Sequence, residues 1–303
     1  MQEMDSKPTI VILVGPPGSG KSMWAKEYIA NHENGSAVHY INQDTQGKQG
    51  HLDFFDTAIK DKREIIVDRM NFSKGQRARY LDPARKAKYH TKIVVLHLPY
   101  DECVKRASDR KNHPTIKDAE TAEKAVYFFF KNYGRPKDTE ADEVVRLGWE
   151  KASLNKVIVC DLDGTLANCE HRLHHLHVEQ PNKPNWKKFF EEMPLDPVNE
   201  WCRSLLSAMS HDYQIVYCTG RAGEYYNLSK EWLEQNGLVY PGFTLFSRMK
   251  GDHRADWQVK EIIYEFEIKT RYGILFVVDD RTQVVDMWRK HGVTVLQCAN
   301  GDF

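Results

Sequence analysis

Two clusters of residues in this chain are spaced for chemistry on phosphate groups. The first is Gly15-Pro16-Pro17-Gly18-Ser19-Gly20-Lys21-Ser22, which follows an apolar run and opens a helical pattern. It matches the spacing G-x-x-x-x-G-K-[ST] in the context that gives that spacing meaning. Its glycines let backbone N–H groups turn inward around phosphate oxygens, and the start of the helix adds its positive end. Lys21 is then expected to reach the β and γ phosphates of ATP, and Ser22 to ligate Mg²⁺. The second cluster is Asp161-Leu162-Asp163-Gly164-Thr165, directly after the apolar run Val157 to Cys160. Two carboxylates one residue apart at a strand end can converge on one phosphate in different roles, one attacking phosphorus and the other protonating the leaving alkoxide.

A phosphate-binding loop alone does not separate a kinase from a motor or a GTPase, so the residues after the next strands matter. Asp44, in Ile41-Asn42-Gln43-Asp44-Thr45, is placed to take a proton from an acceptor hydroxyl; capping a helix is its other reading. Asp68 ends a strand where it can support Mg²⁺ or position the acceptor, unless the segment is a plain surface loop. Arg106 and Arg110 lie in a basic stretch that can fold over ATP as a lid, or can form a solvated helix face. In the second half, Thr219-Gly220-Arg221 follows the run Gln214 to Cys218 and offers a hydroxyl and a compact turn for phosphate oxygens. Arg172, Arg248, Arg254 and Lys260 are further phosphate-contact candidates; each taken separately is more often a surface residue.

The D-x-D-G-T spacing resembles the signature of haloacid dehalogenase-like phosphatases. On that resemblance Asp161 forms an aspartyl-phosphate and Asp163 protonates the leaving group. A nucleophilic carboxylate would be repelled by a dianionic phosphate, so Mg²⁺ is expected beside it. Its ligands would be Asp161, the backbone carbonyl of Asp163 and an acid of the pair Asp279-Asp280. A wider set of residues carries a more specific likeness. GPPGSGKS, INQDT, VDRMNFSKGQRARY and the Arg106 to Arg110 segment resemble the 5′-hydroxyl polynucleotide kinase domains of bifunctional end-healing enzymes. QIVYCTGR, SRMKGDHRADWQVKEII and the last stretch from Val277 are similar to the 3′-phosphatase domain of phage-type polynucleotide kinase/phosphatases.

That resemblance implies Asp44 as general base, Asp68 as an acceptor-site residue and Arg110 as the lid arginine on ATP. It also implies Thr219 and Lys260 as phosphate contacts and Asp279 with Asp280 as the metal end of the second site. Arg172, Arg221, Asp252 and Arg254 fall on positions that serve the phosphatase reaction. The chain departs from the phage pattern at Gln43 and Gly47, where basic residues usually contact the acceptor strand; Arg77, Arg79 and Lys48 are the substitutes considered. The implied substrates are RNA or DNA ends, with hand-off to a ligase, assembly as a homo-oligomer and a place in the host cytoplasm of a phage. A 2′,3′-cyclic phosphate is a further candidate substrate. A metabolite or nucleoside kinase fused to a small-molecule phosphatase remains the alternative, and a nucleotide-gated binding module with a vestigial second half is a third reading.

The elements that must position these residues are legible as alternating runs. Thr9 to Val14, Ala37 to Ile41, Glu64 to Asp68 and Lys92 to Leu98 read as strands separated by amphipathic stretches, the rhythm of a parallel α/β sheet. Helices broken near His113-Pro114 are expected between Asp101 and Asn132, and a domain junction between Tyr133 and Asn155. A second alternation starts at Lys156 and continues through Gln214 to Cys218, Ile274 to Asp280 and the run VTVLQC. The predicted fold class is α/β: a P-loop kinase domain over residues 1–148 and a haloacid dehalogenase-like Rossmannoid phosphatase domain over residues 149–303, each a mainly parallel sheet flanked by helices.

Composition agrees with two folded domains, since 303 residues with 41% hydrophobic and 28% charged content suit two ordinary cores and exclude a largely disordered chain. Lys plus Arg equals Asp plus Glu at 43 each, so any grip on a polynucleotide must be local. No apolar run is long enough for a membrane span and no secretory signal is visible, which points to the cytoplasm. The six cysteines show no metal-ligand spacing and read as reduced and structural. The spacings of His171, His174, His175 and His177 put several of them on one helical face, where a metal site is conceivable, but no carboxylate or cysteine pattern completes it. Tyr127 to Phe130 can stack bases but suit core or interdomain packing better.

Overall fold

The computed structural model describes residues 7–32, 38–110, 116, 118–148, 155–177 and 184–300. The break expected at His113-Pro114 lies outside them. Contacts divide the chain into two compact units, Met1–Glu150 and Lys151–Phe303. Among the described residues no helix is long and apolar enough to cross a membrane.

The first unit runs β1 (Thr9–Val14), α1 (Lys21–Asn31), β2 (Val38–Asn42), α2 (Gln43–Gln46), α3 (Gly50–Lys60), β3 (Glu64–Asp68), α4 (Lys74–Lys86), β4 (His90–Leu96), α5 (Tyr100–Ser108), α6 (Ala119–Asn132) and β5 (Glu143–Leu147). Its five strands are ordered β2-β3-β1-β4-β5, and every pair is parallel. A fully buried parallel strand must be apolar on both faces, and Ile10 to Val14 are completely buried. The strand expected at Lys92 to Leu98 starts earlier, because Thr9 pairs with His90 and Val14 with Val95, leaving Leu98 no partner on β1. β5 was not anticipated. It lies within the segment read as the junction, and its half-exposed, charge-bearing sequence EVVRL lacks the apolar run of a central strand. The aromatic run near Tyr127 is core material: Phe129 and Phe130 are buried, and Phe128 packs edge-on against Phe72.

The second unit runs β6 (Lys156–Cys160), α7 (His174–His177), α8 (Trp186–Glu191), α9 (Glu200–Met209), β7 (Gln214–Thr219), α10 (Tyr226–Gln235), β8 (Thr244–Ser247), α11 (Asp256–Ile263), β9 (Gly273–Asp279), α12 (Thr282–Lys290) and β10 (Val295–Gln297). Its parallel sheet has the order β10-β9-β6-β7-β8. The two sheet faces carry separate apolar clusters. One gathers Ile158, Leu206, Trp232 and Leu245; the other gathers Val157, Val259, Tyr264 and Trp288. Both units therefore have the parallel α/β architecture expected, with their polar motifs at the carboxyl ends of the central strands, where such sheets place ligand sites. All six cysteines are free, and five are buried.

Arg77 was considered as a contact to the acceptor strand, and its place on α4 corrects that reading. It is 1% exposed. Its Nε and Nη2 donate to Glu140 at 2.6 and 3.1 Å, and Nη1 donates to the carbonyls of Asn71 and Phe72. The guanidinium thus ties α4 to the loop before β5 and has no face left for substrate. Removing one partner of such a pair strands the other charge away from water. Arg77→Met is expected to cost the first unit about 3 kcal/mol, read as a lower denaturation midpoint, and Glu140→Leu added to it should recover much of the loss. A single variant as stable as the parent would sink this assignment.

Candidate active sites

In the first unit the loop between β1 and α1 closes around its own lysine. Lys21 Nζ donates to the carbonyls of Gly15 and Pro16 at 2.8 and 2.7 Å. Burial first, and the Arg110 cation among its neighbours, lower its pKa to about 8 even though Asp68 and Asp44 oppose the shift. Gly18 adopts φ +85, and a Cβ there would lie 2.4 Å from the Cys103 carbonyl, so α5 packs on the loop only because the residue is glycine. Ser19 Oγ is buried without a hydrogen-bond partner, as suits a group that awaits a phosphate oxygen.

Ser22 Oγ donates to Asp68 Oδ2 at 2.6 Å, and Tyr40 and Asn42 donate to the same oxygen. A hydroxyl and a carboxylate converging at the loop form a hard-oxygen pair that suits Mg²⁺. Asp68, expected on the acceptor side or at the metal, stands beside Ser22. Asp44 is exposed on α2, and Asn42 is the residue that caps this helix, accepting from Asp44 N at 2.8 Å. That leaves the Asp44 side chain outside the capping role that was its other reading. Arg110 acts on Lys21 through space, whereas Arg106 sits on the exposed face of α5 paired with Glu102 at 2.9 Å. Arg106 thus lies on a solvated helix face, the other arrangement its sequence allowed.

In the second unit Asp161 leaves the end of β6, while Asp279 and Asp280 leave the end of its neighbour β9. All three are buried, and their ligand oxygens lie within 4.8 Å of one another. Gly164 makes this approach possible: its φ is +83 and a Cβ would lie 2.4 Å from Asp280 Oδ2. One buried ammonium faces the group, with Lys260 Nζ 2.8 Å from Asp161 Oδ1 and 3.0 Å from Asp279 Oδ2. Burial, then the neighbouring acids, push the Asp161 carboxyl up against the pull of Lys260, and they push Asp280 up to about 7. Carboxylates raised in this way are short of positive charge, and an all-oxygen anionic donor set fits a hard divalent cation.

Asp163 has the opposite environment. Burial alone would raise its carboxyl, but Arg221 and then Arg172 outweigh it and hold it well below the usual carboxylate range. Arg221 Nη2 donates to it at 2.6 Å and Arg172 Nη2 at 2.5 Å. Both arginines are gripped from behind by Asp196, and Phe189 stacks under Arg172 at 4.0 Å.

A cavity of about 640 Å³ opens above this centre, lined by Asp161, Asp163, Thr219, Gly220 and Arg221 among others. Asp252 and Arg254 also line it, with both Asp252 carboxylate oxygens accepting from Arg254 Nε. Arg172 does not line it. The side chain is fully buried on Asp163, Asp196 and the Phe189 carbonyl, which corrects the expectation of a substrate contact. The histidine run forms no metal-sized cluster among the described residues; His175 pairs with Glu192 at 2.8 Å.

Two residues of this site were missed. Asp256 lies one helical turn before Lys260 on α11, 3.6 Å from its ammonium, with one buried carboxylate oxygen against Gly220 that accepts no hydrogen bond and lies 3.7 Å from Arg248 Nη2. The i, i+4 spacing to Lys260 was the available signal. Asp196 follows the turn Met193–Leu195, and nothing in its local sequence marks it.

Residues 155–303 match the family described as the polynucleotide kinase PNKP phosphatase domain. The second unit belongs to that family. Residues 10–129 match a family described as an AAA domain. A protein of Autographa californica nuclear polyhedrosis virus, by name a bifunctional polynucleotide kinase/RNA ligase, is 23% identical over 95% of this chain and 42% of its own length. A protein of Acanthamoeba polyphaga mimivirus, by name a bifunctional polynucleotide phosphatase/kinase, is 30% identical over 34% of this chain and 24% of its own. The chain thus spans less than half the length of these curated relatives. A chain in the solved structure of a Pnkp1/Rnl/Hen1 complex covers all of this one at 23% identity with a TM-score of 0.41.

The raised carboxyls of the polynucleotide kinase phosphatase-family unit predict a stability profile for the metal-free protein. Asp280 goes from an ordinary 3.8 to about 7 on folding, so the folded state holds the extra proton, and stability present below 3.8 is lost as pH rises toward 7. Without metal, Asp280→Asn should therefore melt higher than the parent, by a margin that widens over this range. Mg²⁺ should raise the parent's melting temperature and leave the variant's nearly unchanged. Equal Mg²⁺ stabilisation of both proteins would remove Asp280 from the metal set.

Proposed function

We propose that the chain is a bifunctional nucleic acid end-healing enzyme acting in the cytoplasm. On this reading the first unit uses ATP to phosphorylate 5′-hydroxyl polynucleotide ends, and the second hydrolyses 3′-phosphates, with 2′,3′-cyclic phosphates as a further substrate. The products suit a ligase. The observation that carries the proposal is the buried trio Asp161, Asp279 and Asp280 beneath a cavity with arginines in its wall, in a unit of the polynucleotide kinase phosphatase family.

In the kinase unit the loop N–H groups, Ser19 and Lys21 would bind the ATP phosphates, Ser22 and Asp68 would hold Mg²⁺, and Arg110, near Lys21, would face the phosphoryl group. Mg²⁺ supplies charge neutralisation at the transferring group. Asp44, exposed near Lys21, takes the proton of the acceptor hydroxyl.

In the phosphatase unit a metal would be held by Asp161, the Asp163 carbonyl and the pair Asp279-Asp280. It supplies positive charge that lets a carboxylate approach a phosphate dianion. The Asp161 carboxylate attacks phosphorus and displaces the terminal 3′ oxygen, and Lys260 steadies Asp161 from below. Asp163, held ionised by Arg172 and Arg221, takes a proton from the water that hydrolyses the resulting acyl phosphate. The proton it gives the leaving oxygen in the first step arrives with the substrate, as on a phosphate monoanion, and the one it takes from water leaves with the inorganic phosphate. Thr219 and the Gly220 turn orient the phosphate oxygens.

Separate sites predict separable losses. Lys21→Ala or Asp44→Ala should lower transfer from γ-labelled ATP to a 5′-hydroxyl oligonucleotide by at least about a hundredfold while phosphate release from a 3′-phosphorylated oligonucleotide continues. Asp161→Asn should do the reverse, in RNA and DNA forms alike. Labelling of free nucleosides but not oligonucleotides would favour a metabolite kinase.

A further inference from the structure

The cavity over Asp161 is larger than a phosphate requires, and one side of it is aromatic. Trp186 and Phe190 lie four residues apart on α8 and so share a face; their rings stack at 5.9 Å with an interplanar angle of 26°. Phe190 in turn meets Tyr225 at 5.1 Å. All three line the same cavity as Asp161 and Thr219. Tyr225 closes the short turn Gly223–Tyr225, four residues past Arg221, so the aromatic tier and the phosphate turn belong to one continuous stretch of backbone.

Neighbouring rings on α8 have divided the work. Phe189 is 2% exposed and packs inward beneath Arg172, whereas Trp186 is 44% exposed at the cavity edge. An open indole costs apolar surface in water unless something covers it. The covering group must also suit a charged rim, since Arg248, Arg254, Arg281 and Lys187 line the same cavity beside Asp252, Asp256 and Glu224. A flat π-surface attached to a phosphodiester has both properties, and stacking on aromatic rings tolerates any base because every base has a π-face.

We propose that Trp186, Phe190 and Tyr225 form a stacking subsite for the terminal nucleobase of the 3′-phosphorylated end, so that the phosphatase unit recognises a nucleotide and not a bare phosphomonoester. This rests on the end-healing reading above and names the part of the substrate that the cavity wall selects. Phosphate bound at Asp161 fixes the terminal sugar at the cavity floor, and the base extends along the α8 wall.

The test compares a 3′-phosphorylated oligonucleotide with the same strand carrying an abasic terminal residue. For the parent protein the abasic end should show a KM about tenfold higher, the scale of one base–aromatic stack. Trp186→Ala should bring the ratio of the two KM values toward unity, and Trp186→Phe should restore part of it. Equal KM values for the two ends in the parent protein would overturn the subsite without recourse to any variant, as would an undiminished ratio in Trp186→Ala. Failure of the parent reading looks different: phosphate is then released from small phosphomonoesters and from neither oligonucleotide.

Discussion

Three carboxylates are buried around a single ammonium at the mouth of the second sheet, and the organisation of that unit follows from the imbalance. Asp161, Asp279 and Asp280 cannot all ionise out of water with only Lys260 against them, which is why burial and mutual repulsion raise their carboxyls. Such a cluster is relieved either by protonation or by a cation that completes it. The apolar strands beneath, Val157 to Cys160 and Val277 with Val278, supply the rigidity that keeps the acids together despite the repulsion. On the proposed reading, Asp161 can serve as a nucleophile only once the deficit of positive charge has been met by a bound cation.

Asp163, two residues on, has been handled in the opposite way. Arg172 and Arg221 bracket it, and Asp196 fixes both guanidinium groups from the far side. Two cations and two anions thus form a closed and neutral array. Its members have almost no freedom to turn toward substrate, so the array sets the protonation state of Asp163 instead of gripping phosphate. The first unit uses a lighter version of this logic. Lys21 satisfies itself on loop carbonyls and Asp68 on Ser22, Tyr40 and Asn42.

What could be read from the chain alone depended on whether function resided in local spacing. Gly15 to Ser22 and Asp161 to Thr165 are contiguous, and the strands that present them are apolar runs with no rival interpretation. β5 and β8 escaped notice because short, half-exposed edge strands carry little periodic signal. The misjudged arginines share one cause. Arg77 and Arg172 found buried acids, Glu140 and Asp196, that are distant in sequence, and no spacing rule links residues 63 or 24 positions apart. A cation next to a phosphate-binding motif reads the same from sequence whether it faces the ligand or holds the residue that does.

Neutrality also constrains how the phosphatase site must obtain affinity. On the proposed reading, with a divalent cation bound, the metal and Lys260 balance the three carboxylates, the Asp163 array is balanced already, and Asp256 beside Lys260 is met by Arg248 and Arg281 at 3.7 Å, so little surplus positive charge remains at the reaction centre to hold a phosphate dianion. This favours release of inorganic phosphate after hydrolysis, but it means that a substrate bound through phosphate alone would be bound weakly. Binding energy must then come from groups remote from phosphorus, where it can serve to position the reacting atoms. The arginines of the rim and the rings of α8 are the parts of the cavity able to supply it. They stand outside the sheet, on a short helix and on turns, so selectivity is separated physically from the strand ends that carry out the chemistry.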